Sequence, residues 1–298
     1  MRITILVVLY NINITKSKTL TSLNKIYLHD KFIFDNFDFL FYVNNENLYQ
    51  SNLNLPFEYT FLKNNLNNGF AFPLNTALKK SKKNKFLLIF DENTIIPTIF
   101  FINYHAQLEL MLSNQNSVAM VSKIFHNDYC FSPSKVYLGG LHRPVSDIYQ
   151  GTINKEVFSI LSGTTINISF MESINGFNEL FWLDSLDRWL FASIFNNKKS
   201  VFISNLSLYH DLSILDYKNK ISINRYTNIL YSETILIYDK SFFYKLCYIF
   251  RLFKRTLDFK KKGMHEYSKI TQYLFSELVI GKRQNLIQKL TFFKNYKF

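Results

Sequence analysis

The stretch Lys85-Phe86-Leu87-Leu88-Ile89-Phe90-Asp91-Glu92-Asn93 limits what this chain can become more than any other. An almost unbroken apolar run between a lysine and two acids has no polar alternation. It therefore reads as a strand covered on both faces, the usual situation in a parallel sheet. Ligands of open α/β sheets are met outside the carboxyl ends of the strands, so Asp91, Glu92 and Asn93 stand where a ligand would arrive. A simpler reading, in which Asp91 only caps the next turn, is also open.

The flanking segments repeat the pattern of strand, polar end and helix. Ile3 to Leu9 is expected to be a first strand ending at Tyr10-Asn11, Thr15 to Tyr27 a helix, Phe39 to Val43 a second strand ending at Asn44, and Tyr59 to Leu62 a third. Phe70, Leu74 and Leu78, with Ala71 and Ala77 beside them, then recur at helical spacing up to Lys79. Beyond the central run, Pro97 opens a helix from Thr98 to Leu112, and Val118 to Val121 is a strand. Residues 125–150 read as turns with short strands, Leu186 to Phe195 as a helix and Val201 to Ile203 as a strand. The order βαββαβ argues an α/β protein with a mostly parallel sheet and helices on both faces. A chain of 298 residues accommodates one such domain, 1–222, and a C-terminal helical extension, 223–298.

The formal net charge of +13 favours an anionic partner: nucleic acid, a phosphate-bearing small molecule or an acidic membrane surface. Nucleic acid is set aside because no recognition motif for it is present. Cys130 and Cys247 form neither a metal-ligand spacing nor a disulfide framework, which fits a reduced, cytoplasmic setting. The charged start and apolar run at Met1 to Leu9 imitate a signal peptide. That run is only about seven residues long, is β-branched and has no small-residue cleavage site, so it is better read as a strand. No stretch offers the roughly 18 uncharged apolar residues of a membrane span.

Ser241 to Lys262 places Phe242, Phe243, Leu246, Tyr248, Ile249, Phe250, Leu252 and Phe253 among Lys245, Arg251, Lys254, Arg255, Lys260, Lys261 and Lys262. This is an amphipathic, strongly basic helix, suited to lie on an anionic bilayer surface with its aromatic side chains in the interface. Packing on the core with solvated charges is the competing expectation.

Several short motifs follow one another in a fixed order: Tyr10-Asn11, Asn67-x-Gly69-x-Ala71-x-x-x-Asn75, Asp91-Glu92-Asn93, Ser162-Gly163, Gly176-Phe177-Asn178-Glu179, the aromatic-rich Asp184-x-x-Asp187 and a late His210. Together they resemble the inverting family-two glycosyltransferases of the GT-A fold, over residues 3–213, with a weaker echo from Arg225 to Leu236. The likeness is greatest to the rhamnosyltransferase-like branch that builds bacterial O-antigen and capsular polysaccharides.

The resemblance implies a Rossmann-like GT-A sheet flanked by helices, a UDP- or dTDP-linked sugar as donor, and a divalent cation, Mn²⁺ or Mg²⁺, on the donor diphosphate. It puts Tyr10, Asn11, Asn44, Asn67, Gly69, Asn75 and Asp91 at the donor, and Ser162, Gly163 and Trp182 on the acceptor side. Asp91, Asn93 and His210 fall at the metal. Asn93 stands where the family has a metal-binding Asp, and its amide oxygen can coordinate without contributing charge. Asn44 likewise stands in for an Asp. Asp187 matches the general base, with Asp184 as the second candidate. Inversion by direct displacement needs one carboxylate to take the acceptor proton as the hydroxyl oxygen attacks the anomeric carbon. Helix capping is the ordinary alternative for both. Trp189 and Ser193 replace an acid and an Arg usual in the family. The implied acceptor is a lipid-linked saccharide, which makes the protein peripheral at the inner face of the bacterial cytoplasmic membrane. The alternative is a non-catalytic relative that binds a sugar nucleotide or a partner enzyme.

Overall fold

The computed structural model describes residues 1–10, 16–44, 55–64, 66–210, 221–238, 240–280 and 288. Its centre is the expected run, β4 (Phe86–Asp91), hydrogen-bonded in parallel to β1 (Ile3–Tyr10), with Val8 opposite Asp91. β1 continues in parallel to β2 (Phe37–Asn44), and β2 to β3 (Tyr59–Asn64). On the other side of β4 lies β12 (Thr164–Asn167), antiparallel to it, followed by β6 (Ser117–His126), β13 (Ser200–His210) and β10 (Gly151–Ile153). β6 and β13 run parallel to each other, so along this path β12 and β10 are the reversed strands, and two short strands at the sheet's rim pair antiparallel to β13 and β6.

The lack of polar alternation in β4 follows from the two cores it serves. Leu87 and Ile89 pack with Leu6 and Val8 on one face, beneath α2 (Ala71–Lys80). Phe86, Leu88 and Phe90 pack with Ile5, Val7 and Leu9 on the other, beneath α1 (Lys18–His29) and α3 (Thr98–Leu112). Alternate side chains of a strand point to opposite faces, so a sheet covered twice needs apolar residues at every position. Each fully buried Leu or Ile in the run contributes about 1.5–3 kcal/mol relative to exposure.

Local chemistry sets the ends. The helix expected from Thr15 starts at Lys18, because Ser17 caps it by accepting the Leu20 amide, worth about 1 kcal/mol. Val201 to Ile203 turns out to be the start of an eleven-residue strand, β13. Past Ile203 its pairing with β6 shifts register, and the Ser204 hydroxyl donates to the Val121 carbonyl there, so polar residues continue inside the sheet. The turn-rich region after β6 contains β7 (Tyr129–Ser132), β8 (Ser134–Tyr137) and β9 (Leu141–Pro144). With β11 (Val157–Phe158), β8 and β9 form a separate small sheet in the order β11-β8-β9.

The face bearing α2 also carries α4 (Ile168–Ser173), α5 (Leu186–Asn196) and α6 (Ile223–Tyr238). Tyr226, Ile229, Leu230 and Ile235 of α6 share one apolar cluster with Leu186 and Leu190 of α5. Two further helices follow, α7 (Phe242–Lys261) and α8 (His265–Ile280). Among the described residues, no helix is long and apolar enough to cross a membrane.

Candidate functional site

At the carboxyl end of β4, a two-residue strand, β5 (Thr94–Ile95), pairs antiparallel with the end of β13 and sets His210 opposite Thr94. This brings together side chains 119 residues apart: His210 Nε2 lies 2.5 Å from Asp91 Oδ2. The other carboxylate oxygen, Oδ1, accepts the Asn93 amide at 3.1 Å and the Thr94 hydroxyl at 2.8 Å. Asp91 thus makes the local turn and also reaches His210. Burial pushes its carboxyl up, but the His210 imidazole, the Thr94 hydroxyl and the Asn93 amide together hold it below the ordinary value.

Beneath Asp91 lies a small network of hydroxyls. Ser162 Oγ accepts the Asp91 amide and sits 2.6 Å from Thr94 Oγ1, while Thr19 Oγ1 donates to the Asp91 and Thr94 carbonyls. The Gly163 amide donates to the Ile89 carbonyl. Ser162 and Gly163, expected on the acceptor side, therefore stand against the end of β4 beside Asp91. Glu92 reaches back to accept the Tyr10 amide at 2.5 Å, and burial raises its carboxyl to about 7. Thr19 and Thr94 are participants that the motifs do not name, since each acts through a partner far off in the chain. Asn11 lies outside the described residues.

A second group forms where β2 ends. Asn44 is buried and its side chain is spent on the adjacent turn: Nδ2 donates to Asn67 Oδ1 and to the Gly69 carbonyl, and Oδ1 accepts the Asn68 amide. Its amide thus holds the 67–69 turn. Gly69 has φ +70°, and a Cβ there would overlap the Trp182 carbonyl oxygen and indole ring. The Phe70 amide donates to that same carbonyl at 2.6 Å, so buried Trp182 is joined to the 67–69 turn. Asn75 fastens the next step of the chain: its Oδ1 accepts the Phe177 amide at 2.7 Å and its Nδ2 donates to the Phe177 carbonyl at 2.9 Å. Gly69→Ala is expected to lose about 1–3 kcal/mol of stability from the backbone conformation alone, with the clash added. Thermal unfolding measures this, and a variant melting with wild type would contradict the packing described.

The two candidate bases are separated by their partners. Asp184 Oδ1 accepts Arg225 Nε and NH2 of α6 at 3.3 and 3.2 Å, which makes it half of an ion pair. Asp187 lies in the first turn of α5, and its Oδ1 accepts the Arg188 amide at 2.8 Å. No Lys or Arg side chain pairs with it among the described residues. Burial raises both carboxyls, that of Asp187 to about 6, against the pull of Arg188. The N-cap position belongs to Ser185, in the left-handed region at φ 64°, with its hydroxyl held by Ser232. Non-glycine residues held there cost about 1–3 kcal/mol and gather at functional sites.

Arg188 itself turns away from Asp187 to a carboxylate of α6. Glu233 Oε1 pairs with Arg188 at 3.3 Å, and its Oε2 pairs with Arg255 at 3.1 Å and Arg251 at 3.6 Å and accepts the Tyr248 hydroxyl. Burial alone would raise the Glu233 carboxyl, but the three guanidinium groups hold it at about 2.

No family model and no curated protein matches the sequence. Among solved structures the chain is similar to S. aureus TarS 1–349 in complex with UDP-GlcNAc, at 14% identity over 99% of this chain and 88% of that one, with a TM-score of 0.55. It is also similar to GalNAc-T7 with UDP, GalNAc and Mn²⁺, at 11% identity over 82% and 52%, with a TM-score of 0.51. The fold is GT-A. The chain spans 44% of the longer S. aureus TarS chain.

Proposed function

We propose that this GT-A chain is an inverting glycosyltransferase. It takes a sugar from a nucleotide-diphosphate donor, UDP- or dTDP-linked, to a hydroxyl of a lipid-linked saccharide in capsule or O-antigen synthesis, with the rhamnosyltransferase-like branch as its nearest kin. The observation that carries this reading is the Asp91–His210 pair at the carboxyl edge of β4, where a GT-A sheet meets its nucleotide. The binding of UDP-GlcNAc by TarS 1–349 and of UDP by GalNAc-T7 supports a uridine nucleotide as the first donor to try.

Among the described residues no three His, Cys, Asp or Glu side chains form a metal cluster. Asp91 and His210 nonetheless suit an ion that draws its remaining ligands from a diphosphate and water, the manner in which Mg²⁺ is commonly bound at phosphate sites. Asp91, Asn93 and His210 would hold Mn²⁺ or Mg²⁺, which when bound supplies positive charge to the leaving diphosphate. The chain's own residues do the rest. Asn44 and Gly69 fix the turn beside the donor, Ser162 and Thr94 orient Asp91, and Asp187 takes the proton of the attacking hydroxyl.

Thermal-shift titration with UDP- and dTDP-sugars, with and without Mn²⁺, tests the donor assignment. At a ligand concentration about 100 times Kd, the shift corresponds to about 2.7 kcal/mol. Asp91→Asn is expected to abolish it. A folded protein that no nucleotide sugar stabilises would sink the donor assignment, leaving a GT-A relative that works by binding a partner enzyme.

A further inference from the structure

Phe242, Phe243, Leu246, Phe250, Phe253 and Leu257 form a continuous exposed stripe along α7. At about 100° of rotation per residue they fall within roughly one quarter of the helix circumference. The opposite side carries Tyr244, Tyr248, Leu252 and Phe259, which are buried in the protein. Phe242 is 70% exposed, and Phe243 and Phe250 are each 72% exposed. A helix apolar on two opposed sides calls for two partners, and the described part of the chain supplies one.

Charge identifies the other. Arg251 and Arg255 face inward to Glu233, leaving Lys254 exposed beside the stripe, Lys245 half-buried on its other flank, and Lys260, Lys261 and Lys262 exposed at its end. Residues 223–298 hold fifteen Lys and Arg against five Asp and Glu, most of the net charge of the whole chain. A second copy of the same face would bring these lysines against each other. We propose that α7 docks on an anionic lipid bilayer, with its Phe side chains at the headgroup and acyl boundary and its lysines on the phosphates. Docking does not depend on the transferase reading. The inward side of α7 meets α6 and α5 through Glu233 and Arg188, so a docked α7 would hold the helix bearing Asp187 close to the lipid surface.

The test is flotation of the full chain with vesicles of phosphatidylcholine containing about one third phosphatidylglycerol, against phosphatidylcholine alone. The variant is Phe243→Ser/Phe250→Ser, which alters exposed positions only. Wild type is expected to float with the anionic vesicles, less so as salt rises, and the variant to bind about tenfold or more weakly with an unchanged melting temperature. A polarity-sensitive label on exposed Cys247 of α7 should shift to the blue only with the anionic vesicles, Cys130 being buried. Absence of binding, or binding unaltered by the variant, would overturn the proposal. So would a dimer in solution that the variant dissolves while vesicle binding is absent.

Discussion

Asp187→Asn is expected to lower turnover about 10²- to 10⁴-fold while leaving donor affinity near wild type, the signature of a lost proton acceptor. Among the described residues no cationic side chain engages Asp187, whereas Asp184 is tied to Arg225. The pH profile follows from the carboxyl being raised to about 6. Only the ionised form accepts a proton, so kcat/KM should rise about tenfold per unit below that value and level off above it. The same shift has a stability consequence of opposite sign. An acid whose folded pKa lies above its unfolded one costs stability once the pH exceeds the unfolded value of 3.8, and in full above about 6. The Asn variant should therefore be slow in turnover yet at least as resistant to heat as wild type. A glycosyl-transfer assay paired with calorimetry reads both quantities, and unchanged turnover would remove Asp187 from the mechanism.

Glu233→Ala is expected to destabilise the protein by about 3–5 kcal/mol, on the order of a 10 °C drop in melting temperature, because it leaves the partly buried Arg188, Arg251 and Arg255 together without the carboxylate they share. In the wild type the carboxylate is held at about 2 from an ordinary 4.5, so its contribution is complete above about pH 4.5 and drains as the pH falls toward 2. A melting curve taken at pH 7 and again at pH 3 should find the difference between wild type and variant smaller at the acidic pH. Equal differences at both would mean that the cluster is held by packing and not by charge.

The parts of the fold that were legible in the sequence are those in which pattern and neighbours agree. β4 could be read because both of its faces are apolar, and α3 because Pro97 marks its start and the fifteen residues after it continue as one helix to Leu112. β12 could not: it has four residues, and the polar Thr164 and Thr165 are buried inside the sheet, where the Tyr104 hydroxyl satisfies Thr165. Local pattern says nothing of a partner sixty residues away. The same limit applied at the site. Asp91 and His210 stand in the ordered motifs and meet in space, but Arg225, which distinguishes Asp184 from Asp187, and Glu233, which draws Arg188 aside, lie in α6, whose pairings no local pattern shows. The basic residues of α7 were legible as a group. Only three-dimensional packing divides the two that face Glu233 from those that face out.

Asn75 meets the main chain of Phe177 as a neighbouring strand would, offering an oxygen to its amide and a hydrogen to its carbonyl. A carboxylate of identical shape would answer the first and repel the second, and a hydrocarbon would answer neither. A helix and a distant loop are thus spliced by a side chain imitating a peptide bond, and at that position nitrogen and oxygen on the same carbon are the requirement, with size and polarity secondary.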